Sequence, residues 1–117
     1  MAEAGDGIFK LVLTYHLWYV LILLMWSVYE HRRVSKQLDS IPKDVLKRYE
    51  KWKDIVTVSG PQGLRKMKGL RDEALSGPWK GHRSSRLNKQ YRVIYKIIKD
   101  RVYIKVVSVT PHDYRRS

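Results

Sequence analysis

Two stretches of the chain carry residues that could do chemistry. Ser84-Ser85-Arg86-Leu87-Asn88-Lys89-Gln90-Tyr91-Arg92-Val93-Ile94-Tyr95 sets arginines among strand-forming residues, and Thr110-Pro111-His112-Asp113-Tyr114-Arg115-Arg116 ends on two side chains able to move protons. If Asn88-Lys89-Gln90 is a hairpin loop, Leu87 pairs with Tyr91 and Arg86 lies opposite Arg92, with Cβ atoms roughly 5 Å apart. Two guanidiniums so placed repel each other unless an anion sits between them, and their fork geometry suits phosphate oxygens. Arg86 and Arg92 therefore read as a phosphate clamp. The competing reading pairs each with a carboxylate such as Asp72, Glu73 or Asp113. His112 can exchange a proton near neutral pH, and Tyr114 can do so where cations lower its pKa. Beside a bound phosphodiester the pair would suit acid–base cleavage of RNA; without one they are ordinary residues near the end of the chain.

Further cations could track a nucleic-acid backbone along the same surface. Arg65, Lys66 and Lys68 form one group, whose alternative role is to charge an exposed strand edge against aggregation. His82 and Arg83 enter the strand that leads to Arg86, Lys89 lies in the hairpin loop, and Arg115 follows the terminal His and Tyr. His16, His31, His82 and His112 are scattered without ligand spacing, and no cysteine is present, so no metal set is expected. Neither a P-loop nor a dinucleotide-binding glycine fingerprint occurs, and no cofactor is expected.

A chain of 117 residues is one domain's worth, with room for a modest two-layer core. Its net charge of +13 suits a polyanionic partner, because lysines and arginines that neutralise phosphates release condensed counterions. Residues 1–30 hold Lys10 against Glu3, Asp6 and Glu30, a net of −2; residues 31–117 hold 23 Lys and Arg against 8 Asp and Glu, a net of +15. The basic character thus belongs to the larger C-terminal part.

The elements that must position these residues follow from periodicity. Leu11–Tyr29 has no formal charge and approaches the length of a bilayer core. It reads either as a membrane helix with His31-Arg32-Arg33 on the cytoplasmic side or as an appendage, residues 1–24, before a domain of residues 25–117. A membrane contact through residues 11–26 stays open on this reading, while His16 and Thr14 argue mildly against a span. Met25–Glu30 alternates as a first strand, with Trp26, Val28 and Glu30 on one side. Val34, Leu38 and Ile41, then Val45, Tyr49, Trp52 and Val56, fall at helical spacing around a break at Pro42, which predicts a helical hairpin. Ser59–Gly63 is expected to end the second helix, Leu64–Leu70 to form a basic strand, and Arg71–Gly81 to be a loop. Arg83–Leu87, Tyr91–Ile98 and Val102–Thr110 read as strands. The expected fold is α+β, a small antiparallel or mixed β-sheet packed against the helical hairpin, with an extra hydrophobic N-terminal segment.

In that order of elements, in Leu75-Ser76-Gly77-Pro78-Trp79 ahead of Ser84–Tyr95, and in the terminal His112-Asp113-Tyr114-Arg115, the chain resembles the RelE/ParE superfamily of toxin–antitoxin modules, and more closely its RelE/YoeB-type mRNA interferases. The resemblance covers about Trp26–Arg116. It implies a toxin that cuts mRNA in the ribosomal decoding site, where an RNA 2′-hydroxyl attacks the adjacent phosphate without a metal and leaves a 2′,3′-cyclic phosphate. Arg92 then matches the family's catalytic arginine, Arg86 a basic residue on the preceding strand, and His112 and Tyr114 the terminal residues that assist proton transfer. The YoeB-type relatives keep a glutamate as general base on the strand before the loop, where this reading places Arg65. The resemblance further implies a cognate antitoxin as partner, mRNA and the ribosome as target, and a cytoplasmic location. Two other classes stay in contention: a ParE-like toxin that poisons DNA gyrase without cutting RNA, and a membrane-tethered basic module that binds nucleic acid or anionic lipid.

Overall fold

The structure, a computed structural model, describes residues 2–98 and 103–111. Helix α1 (Ala2–Leu24) leads into strand β1 (Ser27–Glu30), then helices α2 (Arg32–Ser40) and α3 (Lys43–Lys66) precede four further strands. These are β2 (Glu73–Ala74), β3 (Arg83–Arg86), β4 (Arg92–Ile97) and β5 (Tyr103–Thr110). One sheet contains all five strands in the order β1-β5-β4-β3-β2, with β1 parallel to β5 and the other pairs antiparallel. The fold is α+β, with a mixed sheet under the α2–α3 hairpin, as the sequence predicts.

The helical spacing read from the sequence is the stripe that packs. Val34 on α2 and Val45, Tyr49, Trp52 and Val56 on α3 are fully buried against Leu87, Val93, Tyr95, Val106 and Val109 of the sheet. Tyr49 stacks on Trp52 at 6.0 Å, and Trp52 meets Tyr95 edge-on at 5.3 Å. Each such large side chain contributes about 1.5–3 kcal/mol by leaving water. Trp26 and Val28 pack against the same cluster. Glu30 also turns toward α3, where its carboxylate accepts from the Tyr49 hydroxyl and lies 3.7 Å from Lys53 Nζ. Burial first, and then that bond, push the Tyr49 phenol above its ordinary range.

Beyond the reach of β1, the free edge of β5 is closed by a side chain. Gln37 on α2 accepts from the Val109 N–H at 2.8 Å and donates to the Ser108 hydroxyl at 2.9 Å. That satisfies an edge amide that would otherwise be exposed for pairing.

Three expectations are corrected. The chain does not leave the helix at Ser59–Gly63: it kinks at Gly60 (φ 68°, ψ −172°), and Pro61 opens a further helical turn that runs to Lys66. Proline suits that first position because its missing N–H has no partner there in any case. Leu64–Leu70 is consequently no strand; it is the end of α3 followed by a short 3₁₀ turn at Lys68–Leu70. Leu64 stays on the buried stripe of α3. Within the expected loop Arg71–Gly81, Glu73–Ala74 pair with β3 and Gly77–Trp79 form a second 3₁₀ turn.

Every described side chain of α1 from Gly7 to Leu21 is exposed, including Tyr15 at 71% and Trp18 at 62%. Among the described residues no helix is long and apolar enough to cross a membrane, so the membrane-span reading of this segment gains no support.

Candidate functional site

The hairpin between β3 and β4 sets the geometry of the arginines. The Leu87 N–H donates to the Tyr91 carbonyl at 2.9 Å, and Asn88 Oδ1 accepts from the N–H groups of Gln90 and Tyr91 at 2.8 and 2.7 Å. This side-chain mimic of a turn bond closes the loop and fixes the register. In that register Arg86 is the direct partner of Arg92.

Side chains alternate across a strand, so the core members assign the faces. Leu87, Val93, Tyr95 and Val109 point to the helices, which puts Arg86 and Arg92 on the opposite face. Both are half-buried, and the Arg86 Nε donates to the Asn88 carbonyl at 3.1 Å. Ser84 lies two residues before Arg86, and its partner on β2 is Glu73. Glu73 therefore shares the arginine face. On the far side of Arg92, Lys96 pairs directly with Lys105 of β5, and both are exposed. Like charges directly opposed destabilise a sheet unless an anion compensates them; this face holds two such pairs. Arg92 and Lys96 are four residues apart, about 13 Å along the strand. The cations also act on His31, at the start of α2, whose imidazole titrates below its ordinary value through desolvation first and then through Arg33, Lys105 and Arg32.

Arg83 is three residues from Arg86 and so faces the helices. There its Nη2 and Nε meet Asp72 Oδ1 at 2.6 and 2.8 Å, and Asp72 Oδ2 accepts from the Ser85 and Tyr95 hydroxyls. The Asp72 side chain is fully buried. Arg83 is thus committed to a structural ion pair on the side away from the expected RNA path. The carboxylate that was to compete for Arg86 and Arg92 is used here instead.

His82 is half-buried, with its ring edge-to-face against Trp79 at 5.3 Å and its Nδ1 buried without a hydrogen-bond partner. Arg65 and Lys66 are exposed on the last turn of α3, and Lys89 is exposed on the hairpin loop. Lys68 lines a groove with Arg48, Lys51, Arg86 and an apolar floor that includes Trp52 and Leu87. The structure thus brings Lys68 and Arg86 together, with Arg65 and Lys66 on the adjoining helix end. His112, Tyr114 and Arg115 lie outside the described residues. Among the described residues no three His, Asp or Glu side chains are grouped to share a metal ion.

Sequence reasoning missed Glu73, Lys96 and Lys105. Lys96 was legible, since it has the same parity as Arg92 on one strand. Glu73 was not, because a strand of two residues shows no alternation. Its discovery changes the expected departure at the general base: the strand before the loop is β2, and β2 presents a glutamate where Arg65 had been placed.

No family model and no curated protein sequence matches the chain. Solved structures do. A chain of the archaeal RelE–RelB complex from Pyrococcus horikoshii is 26% identical with a TM-score of 0.61, over 78% of this chain and 99% of that one. A chain of the YoeB–YefM complex from Staphylococcus aureus is 16% identical with a TM-score of 0.59, over 75% and 98%. YafQ from Escherichia coli is 19% identical with a TM-score of 0.51, over 73% and 91%. The α2–α3 hairpin on its mixed sheet is thus the architecture shared by the RelE, YoeB and YafQ structures.

Proposed function

We propose that this chain is the toxin of a toxin–antitoxin pair and that it cleaves mRNA on the translating ribosome. The observation that carries the reading is the pairing of Arg86 with Arg92 on a sheet face that also holds Glu73, Lys96 and Lys105. Cations at both ends of β4 suit a phosphate backbone laid along the strand, with the scissile phosphate at the arginine pair.

In the proposed reaction the RNA 2′-oxygen attacks the neighbouring phosphorus while the bond from phosphorus to the 5′-oxygen breaks. The products are a 2′,3′-cyclic phosphate and a 5′-hydroxyl. Glu73, the strands' one carboxylate on this face among the described residues, is the candidate to take the 2′-hydroxyl proton. Arg86 and Arg92 stabilise the extra negative charge on the pentacoordinate phosphorus. Thr110 is the partner of Arg92, so His112 and Tyr114 follow within about 15 Å of extended chain, and they are the proposed donors to the leaving 5′-oxygen. Every proton in this scheme is moved by a side chain. Arg65, Lys66, Lys68 and Lys89 are the proposed outer contacts to RNA and ribosome.

The likeness to chains from RelE–RelB and YoeB–YefM complexes supports an antitoxin as partner. Its acidic residues would complement the +15 region. The reading places the protein in the cytoplasm, where translating ribosomes are.

The test is induction in bacteria of wild type, Arg92→Ala and Glu73→Gln, with 5′ ends of cellular mRNA mapped. Wild type should produce cuts within translated frames, and each variant should lower cutting by roughly 10²–10³-fold, the usual loss for one transition-state contact. Growth arrest without new mRNA ends would sink the nuclease reading and favour a gyrase target.

A further inference from the structure

β2 is the terminal strand of the sheet, and the turn that follows folds over its open edge. Residues 73–79 enclose a cavity of about 440 Å³ there. Its shape is set by backbone restraint: Gly77 adopts φ 62°, Pro78 fixes the next torsion, and the Trp79 N–H closes the turn on the Ser76 carbonyl at 3.3 Å.

Three features state what the cavity could hold. First, one wall is the indole of Trp79, held at 86° to the His82 ring, so the aromatic surface is fixed before any ligand arrives. Second, the strand edge offers a matched donor and acceptor. The Leu75 N–H donates to the His82 carbonyl at 2.9 Å, which makes Leu75–His82 and Glu73–Ser84 the hydrogen-bonded pairs of this ladder. The N–H and C=O of Ala74, between them, point away from β3 toward the open side. Third, the cavity adjoins the arginine pair. Glu73 belongs to both, and from Ser84, its partner, to Arg86 is about 7 Å along the strand.

We infer that this cavity takes one unpaired purine base of the bound RNA, next to the phosphate held by Arg86 and Arg92. The inference rests on the RNA-cleaving reading and adds a base preference to it. Single-stranded bases are recognised by stacking on aromatic side chains and by hydrogen bonds to their edges. A two-ring base covers more of the indole than a one-ring base does. Its edge also supplies an acceptor beside a donor, as in N7 and the N6 amino group of adenine, which complements one N–H beside one C=O. The cavity volume lies in the range of small-molecule sites and has room for such a base with its sugar.

The experiment uses the full chain and uridine hexamers that are 2′-O-methylated throughout, so that none can be cut. Binding of the plain hexamer is compared by calorimetry with that of hexamers carrying one central adenosine or guanosine. A purine should tighten binding by roughly tenfold, within the range of one base–aromatic stack. Trp79→Ala should remove that gain, and Trp79→Phe, which keeps an aromatic face, should retain most of it. Equal binding of all hexamers, or a purine gain that survives Trp79→Ala, would overturn the inference. The mapped cuts separate it from the reading beneath it. Wild-type cuts biased toward an adjacent purine, with the bias gone in Trp79→Ala, support both, and a Trp79-dependent purine gain in a protein that makes no cuts keeps the pocket while the nuclease reading falls.

Discussion

Asp72 and Glu73 are neighbours with opposite duties, and strand parity is what divides them. Asp72 turns to the helices, where Arg83, Ser85 and Tyr95 all donate to it; Glu73 turns to the face of Arg86 and Arg92. The Asp72 cluster anchors three consecutive elements of the site, so β3 is held from behind while its front is left for an anion. The same parity separates Arg83 from Arg86, three positions apart on one strand. This much was legible in the sequence, where both had been assigned to RNA. The use of Asp72 was not legible, because it needs the register of β2, β3 and β4 together. The cluster carries a pH signature. Burial, followed by the bond to Asp72, raises the Tyr95 phenol above its ordinary value of 10.0. The folded protein therefore holds the phenolic proton more tightly than the unfolded chain does. Stability from this group is complete below pH 10 and is lost as pH rises beyond it, because only the unfolded state then releases the proton. Tyr49 adds to the effect in the same direction. Urea midpoints measured from pH 8 to 11 should fall steeply above about pH 10, and the slope should be shallower in Tyr95→Phe. An unchanged slope would remove Tyr95 from the account.

At the scale of elements, the hairpin and its partner sheet were legible because each buried position repeats. Val45, Tyr49, Trp52 and Val56 satisfy the helical period, and the Asn88–Gln90 loop fixes which strand residues oppose. The stretch after Val56 was misread for a physical reason. Leu64, Met67 and Leu70 recur every third residue between cations, a spacing that alternation imitates over so short a run. The Ser-Gly-Pro sequence looks like a terminator, yet it is a kink. Gly60 holds φ 68°, and a Cβ there would lie 2.5 Å from Trp26 Nε1. Glycine lets α3 bend while Trp26 packs against the bend, and the Trp26 N–H donates to the Thr57 carbonyl at 2.9 Å. Gly60→Ala adds a left-handed penalty of about 1–2 kcal/mol to a clash with a ring that is itself packed on the core. The expected loss is at least about 2 kcal/mol, read from urea denaturation, against a change within about 0.5 kcal/mol for a surface control such as Gly69→Ala. Equal midpoints for the two variants would show that α3 does not need the kink.

For the whole molecule, charge and burial divide the chain at the same place. The region that binds an anion carries the +15 and the core, whereas the first 30 residues carry a net of −2. The described side chains of α1 from Gly7 to Leu21 face solvent, and they include Leu11, Tyr15, Trp18 and Tyr19. The extents of 70 × 31 × 28 Å fit a body extended by a helix of about 35 Å. Hydrophobicity alone could not separate an appendage from a buried helix in the sequence, since both are apolar runs; the distinction lies in whether another element covers the run. We propose that residues 25–117 are the folding unit. Removing residues 1–24 deletes no member of the buried cluster, and it leaves the Trp26 bond to Thr57 and the pairing of β1 with β5 in place. The shortened chain should therefore unfold at the same urea concentration as the full one, within about 0.5 kcal/mol. It should also be less prone to associate, because an exposed apolar surface this large drives self-association or the binding of a partner. Sedimentation of both chains over a range of concentrations reads the second effect. A shortened chain that is markedly less stable would mean that α1 packs on the body in solution, and residues 1–24 would then belong to the domain.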